Sequence, residues 1–191
     1  MTNIAIFASG SGSNAENIAD YFSENSDIRI CLIVSNKADA FVHERAKKLG
    51  IPSLTYPKSE FEEGTRVLEI LREYGINFIV LAGFLLKIPG SLIEAYPRKI
   101  VNIHPALLPK YGGKGMYGEH VHKAVVAAGE KESGITIHYV NEHYDEGQVI
   151  FQAKCDVSPT DTPENVAQKV HELEYRHFPE AIEKTILSAQ K

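Results

Sequence analysis

The chain has 191 residues, 43% of them hydrophobic, and a formal net charge of -5 at pH 7. That is enough chain to bury the core of one domain, and the acidic balance argues against a nucleic-acid binder, which presents a basic face. The longest apolar run, FIVLAGFLL, is too short to cross a bilayer, and the residues after Met1 lack the pattern of a secretion signal, so a cytoplasmic protein is expected.

Apolar runs of strand length alternate with segments of helical period. NIAIFAS reads as a strand and is followed by a helix over about 14–23. IRICLIVSN is the next strand, and ADAFVHERAKKLG is a helix stopped by Gly50. SLTY is a short strand, and EEGTRVLEILREYG a helix with Val67, Ile70, Leu71 and Tyr74 on one stripe. NFIVLAGF and KIVNIH follow as strands. Runs apolar on both faces belong in a sheet covered on both sides, so this half predicts a parallel, doubly wound sheet. After His104 come the Pro/Gly-rich stretch PALLPKYGGKGMYGE and a helix over about 120–128. GITIHYV and QVIFQAKCDV, joined by NEHYDEG, read as an antiparallel pair. A long helix, with Pro179 as a candidate break, runs from residue 162 or 163 to 189. With no repeat or linker, the expectation is one α/β domain over 1–191, Rossmann-like, with an antiparallel hairpin near its C-terminal end. Cys31 and Cys155 lie in apolar stretches and define neither a disulfide framework nor a metal site.

The first candidate site is the turn SGSGSNAEN. Gly10, Gly12 and Ala15 have the G-x-G-x-x-A spacing at a strand-to-helix junction, where backbone N–H groups and a helix N-terminus converge on an anion. Ser13 or Asn14 is placed to cap that helix. The second strand ends in Ser35, Asn36 and Lys37 rather than in an acidic residue, which favours a phosphate-bearing small molecule over a dinucleotide. The reading of this turn as a capped junction without a ligand stays open beside it.

The second candidate is VNIHP. Side chains alternate along a strand, so Asn102 and His104 share one face, at the carboxyl end where open α/β sheets bind ligands. Asp145, two residues before Gly147, offers a carboxylate. A carboxylate beside His104 would raise its pKa and hold it charged, and an asparagine amide can serve an oxyanion. The three together fit acyl transfer without a covalent nucleophile, because Ser9, Ser11 and Ser13 lie in no nucleophile-elbow context. Taken alone, Asp145 also reads as an ordinary turn aspartate.

SGSGSN, SNKADAF, LAGF, NIHPALLPKY and the D-x-G of YDEGQVI, in this order and over essentially the whole chain, resemble the folate-dependent formyltransferases, and within them the glycinamide ribonucleotide formyltransferases. The resemblance implies transfer of formyl from 10-formyltetrahydrofolate, a co-substrate, to the amine of glycinamide ribonucleotide, with no metal. It implies that Asn102, His104 and Asp145 are catalytic; in the mechanism expected of them Asp145 keeps His104 protonated. It also implies that Gly12, Ser13 and Asn14 hold the phosphate, and that Glu174 contacts the ribonucleotide. The folate would lie against Leu85, Leu86, Lys87 and Ile88 and against Asn141, Glu142, His143, Tyr144 and Asp145, with Asn102 beside it. Three features depart from the family pattern. Arg66 is the nearest match to a phosphate-contacting arginine, with Lys58 as a substitute. Lys87 stands in a usually apolar segment, and the 109–119 loop is longer and richer in glycine, as a mobile lid would be. The expected partners are small molecules, with no nucleic acid or membrane, for a monomer or homodimer. Two rivals remain: a hydrolase of formyltetrahydrofolate, which usually carries an added N-terminal domain, and a nonenzymatic phosphate-ligand module. The other histidines are expected to be structural.

Overall fold

The apolar runs of the first half become parallel strands. The computed structural model describes residues 1–189, which fall into two compact units, Met1–Asn102 and Ile103 onward. In the first unit β1 (Thr2–Phe7) pairs with β2 (Ile28–Ser35) on one side and β4 (Phe78–Leu81) on the other. β3 (Ser53–Thr55) extends the sheet beyond β2, and β5 (Ile100–His104) begins beside β4, with Leu81 opposite Asn102. All these pairings are parallel, as the doubly wound reading predicts. Ile4, Ile6, Phe7, Ile33, Ile79 and Val80 are completely buried, which is why these strands show no polar alternation. Chain order reverses at β1, flanked by β2 and β4, and such a switch point opens a crevice beyond the carboxyl ends of the strands.

Helices α1 (Ser13–Tyr21) and α2 (Val42–Leu49) follow β1 and β2. Gly50, at φ 68°, ends α2 in the left-handed conformation, as its position in the sequence predicts. The single helix expected over 62–75 is instead two, α3 (Lys58–Glu63) and α4 (Thr65–Glu73). Gly64 divides them at φ 79°, closing one helix and opening the next. A short helix that the sequence reading omits, α5 (Gly90–Ala95), lies between β4 and β5.

The second unit carries the end of β5, α6 (Glu119–Ala127), β6 (Glu132–Tyr139), β7 (Val149–Asp156) and α7 (Pro163–Ala189). β6 and β7 form the expected antiparallel pair, with an irregularity between Ile137 and His138. α7 packs on β6, β7 and α6. Contrary to the expected break, it continues through Pro179. Proline inside a helix costs about 3 kcal/mol, but Phe178, Pro179, Ala181 and Ile182 are all buried in this stretch, and their packing holds the helix together.

Candidate active site

In the first unit the turns at the switch point are built around Ser9. Its N–H donates to the Gly83 carbonyl at 3.1 Å. Its hydroxyl donates to Asn36 Oδ1 at 2.5 Å and accepts the N–H of Leu85 at 2.9 Å. One buried serine therefore ties together the turns after β1, β2 and β4. The turn after β1 passes through Gly12 at φ 73°, ψ 20°. A Cβ at Gly12 would sit 2.4 Å from Val42 Cγ2, so only glycine fits. Gly12 is itself the N-cap of α1, without a side-chain cap hydrogen bond. Ser13 and Asn14 thus lie in the first turn, not at the capping position expected of them. Of the segment after β4, Leu85 and Lys87 are exposed and Ile88 is buried. Arg66 pairs with Glu60 at 2.8 Å and is two-thirds exposed, so its charge is already answered.

In the second unit His104 is 4% exposed and both ring nitrogens face acceptors. Nε2–H donates to the Tyr111 carbonyl at 2.7 Å, and Nδ1 lies 3.6 Å from Asp145 Oδ2. Asp145 takes up φ 56°. It accepts the Gly113 N–H at 2.9 Å on Oδ2 and faces His138 Nε2 at 3.7 Å on Oδ1. His138 in turn donates Nδ1–H to the Tyr139 carbonyl at 2.9 Å. Burial by itself would raise the Asp145 carboxyl. The His138 and His104 imidazoles and the Gly113 N–H together outweigh it and hold Asp145 below its usual range.

The charged His104 expected from the sequence is corrected here. Burial lowers its pKa by more than Asp145 and the Tyr111 carbonyl raise it, so the imidazole is held below its ordinary range. Near pH 7 it is mainly neutral. The bond to Tyr111 requires that its proton sit on Nε2.

Glu174 is buried on α7, with Oε2 2.9 Å from His171 Nδ1. A solvated helix glutamate would look different. That hydrogen bond, stronger than the opposing effect of burial, raises the pKa of His171. His122 is buried on α6 with Nδ1 lacking a hydrogen-bond partner, and burial lowers its pKa. Thr136, fully buried on β6, donates to the Ala106 carbonyl at 2.7 Å and accepts the Leu108 N–H at 3.0 Å. It anchors the segment running from His104 to Tyr111. Asn141 to Tyr144 are exposed, with Asn141 Oδ1 accepting the His143 N–H at 2.9 Å. Among the described residues no three His, Cys, Asp or Glu side chains form a metal-ligand set, and no helix is long and apolar enough to cross a membrane.

His138, Tyr111 and Ser9 are functional candidates that sequence reading misses. His138 has a faint signal, an imidazole two residues from Thr136 on the same strand face. Tyr111 has none, because it acts through its backbone carbonyl.

The family model described as "Formyl transferase" matches residues 2–182. A chloroplastic phosphoribosylglycinamide formyltransferase of Arabidopsis thaliana is 43% identical over 185 residues, covering 94% of this chain and 63% of that protein. The chain therefore spans a little under two thirds of that relative's length. The phosphoribosylglycinamide formyltransferase of Bacillus subtilis (strain 168) is 37% identical, covering 97% of this chain and 95% of that one. The crystal structure of phosphoribosylglycinamide formyltransferase from Bacillus halodurans has a TM-score of 0.88 at 36% identity, over 100% of this chain and 97% of that one.

Proposed function

Because this chain belongs to the formyl transferase family, we propose that it transfers the formyl group of 10-formyltetrahydrofolate to the amine of 5'-phosphoribosylglycinamide, a step of purine biosynthesis. The observation that carries this reading is the buried His104–Asp145 pair, 3.6 Å apart, at the end of the strand that also presents Asn102. This is a set suited to stabilising an oxyanion and moving a proton, with no nucleophile of its own. The acyl acceptor must then be the substrate amine.

Formyl folate supplies the one-carbon group. Asn102 donates its amide N–H to the formyl oxygen as negative charge develops. His104, neutral and protonated on Nε2, donates the same proton that Tyr111 now holds at 2.7 Å. The Tyr111 carbonyl must release it first, which gives the 109–119 loop the part of a lid. Asp145, kept ionised by its surroundings, holds the water or proton passed from amine to leaving nitrogen. Gly12, Ser13 and Asn14 bind the phosphate. Glu174, fixed by His171, serves the ribonucleotide. Leu85 to Ile88 and Asn141 to Asp145 bind the folate. Arg66 is the weakest member of the set, since its guanidinium is already paired with Glu60.

On this reading residues 1–191 work as one formyltransferase domain on small molecules, as a monomer or homodimer. We place it in the cytoplasm, where the free thiols of Cys31 and Cys155 would stay reduced. Turnover of a 10-formyl folate analogue, followed by absorbance with and without glycinamide ribonucleotide, tests the proposal. Consumption only with the ribonucleotide supports transfer. Consumption without it means a hydrolase, and none in either case means a binding module.

A further inference from the structure

The glycine turn is held from behind by α2 and by the first turn of α1. The Gly10 carbonyl accepts the Val42 N–H at 3.1 Å, and the Gly12 carbonyl accepts the Glu16 N–H at 3.0 Å. The carbonyl between them, that of Ser11, accepts Nε–H of Arg45 at 2.8 Å. A trans peptide turns its N–H opposite to its C=O. Three consecutive carbonyls held by the protein therefore direct the N–H groups of Ser11, Gly12 and Ser13 the other way. Val42 and Glu16 act through backbone groups that any residue except proline would supply. Arg45 acts through its side chain and is the one replaceable part.

Arg45 is itself tightly held. Its guanidinium pairs through Nη1 with Glu16 and lies over the Phe41 ring, 5.2 Å from the centroid. The bond to Glu16 also answers a carboxylate in the first turn of α1, where an unpaired negative charge would oppose an anion at the helix N-terminus. We infer that Arg45 is a positioning residue for phosphate binding, which acts by fixing the direction of the Ser11–Gly12 peptide rather than by touching the phosphate or lending it charge. This rests on the proposed role of the turn, and it points to α2, not to Arg66, for the arginine that matters to the phosphate end of the substrate.

Charge and direction can be separated. Lysine at position 45 keeps the charge and can still reach Glu16, but it has no Nε–H to offer the Ser11 carbonyl; methionine keeps only the packing on Phe41. In the full-length protein, binding of inorganic phosphate is measured by amide NMR titration, and KM and kcat are measured for both substrates. The wild type is expected to show phosphate-dependent shifts of the Ser11, Gly12 and Ser13 amides and of Arg45 Nε–H. R45M and R45K are both expected to weaken phosphate about tenfold and to raise KM for the ribonucleotide by a similar factor. The folate KM and kcat should stay near wild type. R45K at wild-type phosphate affinity would reduce Arg45 to a charge, and R45M at wild-type affinity would remove it altogether; either overturns the inference. If both variants fail to fold, the wild-type titration decides, because phosphate shifts at the turn without any at Arg45 Nε–H reject the coupling. If no amide of the turn moves with phosphate or ribonucleotide, the phosphate reading itself fails. If phosphate binds, R45M and R45K both lose it, and no formyl transfer is seen, the positioning role stands and the proposed reaction falls.

Discussion

His104 sits between opposing demands. Two acceptors, the Tyr111 carbonyl and the Asp145 carboxylate, favour a proton on each ring nitrogen, while burial opposes the charged ring and prevails. The result is a histidine that is neutral near pH 7 yet keeps a donor proton on Nε2. A single donor aimed at a developing negative charge is worth on the order of 10²–10³ in rate. His104→Ala is therefore expected to lower kcat by about that factor, and normal turnover by this variant would remove His104 from the mechanism. Asp145→Asn tests the electrostatics separately. The Asp145 charge raises the His104 pKa, so its loss should move the imidazole titration, followed by NMR, to lower pH. A shift to higher pH, or none, would mean that the two groups are not coupled.

At the scale of elements, the position of the Asp145 carboxylate depends on the closure of the β6–β7 hairpin. A Cβ at Gly147 would lie 1.6 Å from the Tyr139 carbonyl oxygen and 3.4 Å from His138 Nδ1. The strand leaving Asp145 thus approaches the partner of His138 at a distance that only glycine permits. Gly147→Ala must spread the hairpin, at a cost of about 1–3 kcal/mol, or about 2–4 °C in Tm for each kcal/mol in a chain of this size. Because the spread occurs where His138 and Asp145 meet, kcat should fall as well. A variant with unchanged Tm and kcat would show that this contact constrains nothing. The D-x-G pattern made this element legible in the sequence. The Pro/Gly-rich stretch after β5 was legible as an irregular loop, but not its grip on the site. Gly113 reaches Asp145 through a backbone N–H and Tyr111 reaches His104 through a carbonyl, and neither contact leaves a trace in residue type.

For the whole molecule, the buried histidines set the acid limit of stability. The pKa values of His104 and His122 are lowered in the folded state, so below the unfolded value of about 6.5 the unfolded chain takes up more protons. Stability should then fall as pH drops from about 6.5 toward their folded values. His171, with its pKa raised by Glu174, works in the opposite sense. Its stabilisation is fully present below the unfolded pKa and is lost as pH rises through the folded one. His177, its pKa also lowered by burial, adds to His104 and His122 against His171, so Tm should decline between pH 7 and pH 5, and His122→Gln should flatten that decline. A pH-independent Tm in the wild type would contradict this balance. Lower still, Asp145 contributes stability that is present above its unfolded pKa and lost as pH falls through its depressed folded value.

The sequence by itself determined the alternation of parallel strands and helices, the glycine turn, and the common face of Asn102 and His104. It also determined a carboxylate in the hairpin and the family that these motifs mark. Each rests on local periodicity or on a residue type with few conformational alternatives. Only the tertiary structure decided that His104 is held neutral, that Asp145 is shared with His138, that Glu174 is buried against His171, and that Arg45 reaches back to Ser11. Those outcomes depend on desolvation and on hydrogen bonds that are absent from local periodicity; Arg45 and Ser11 stand 34 residues apart.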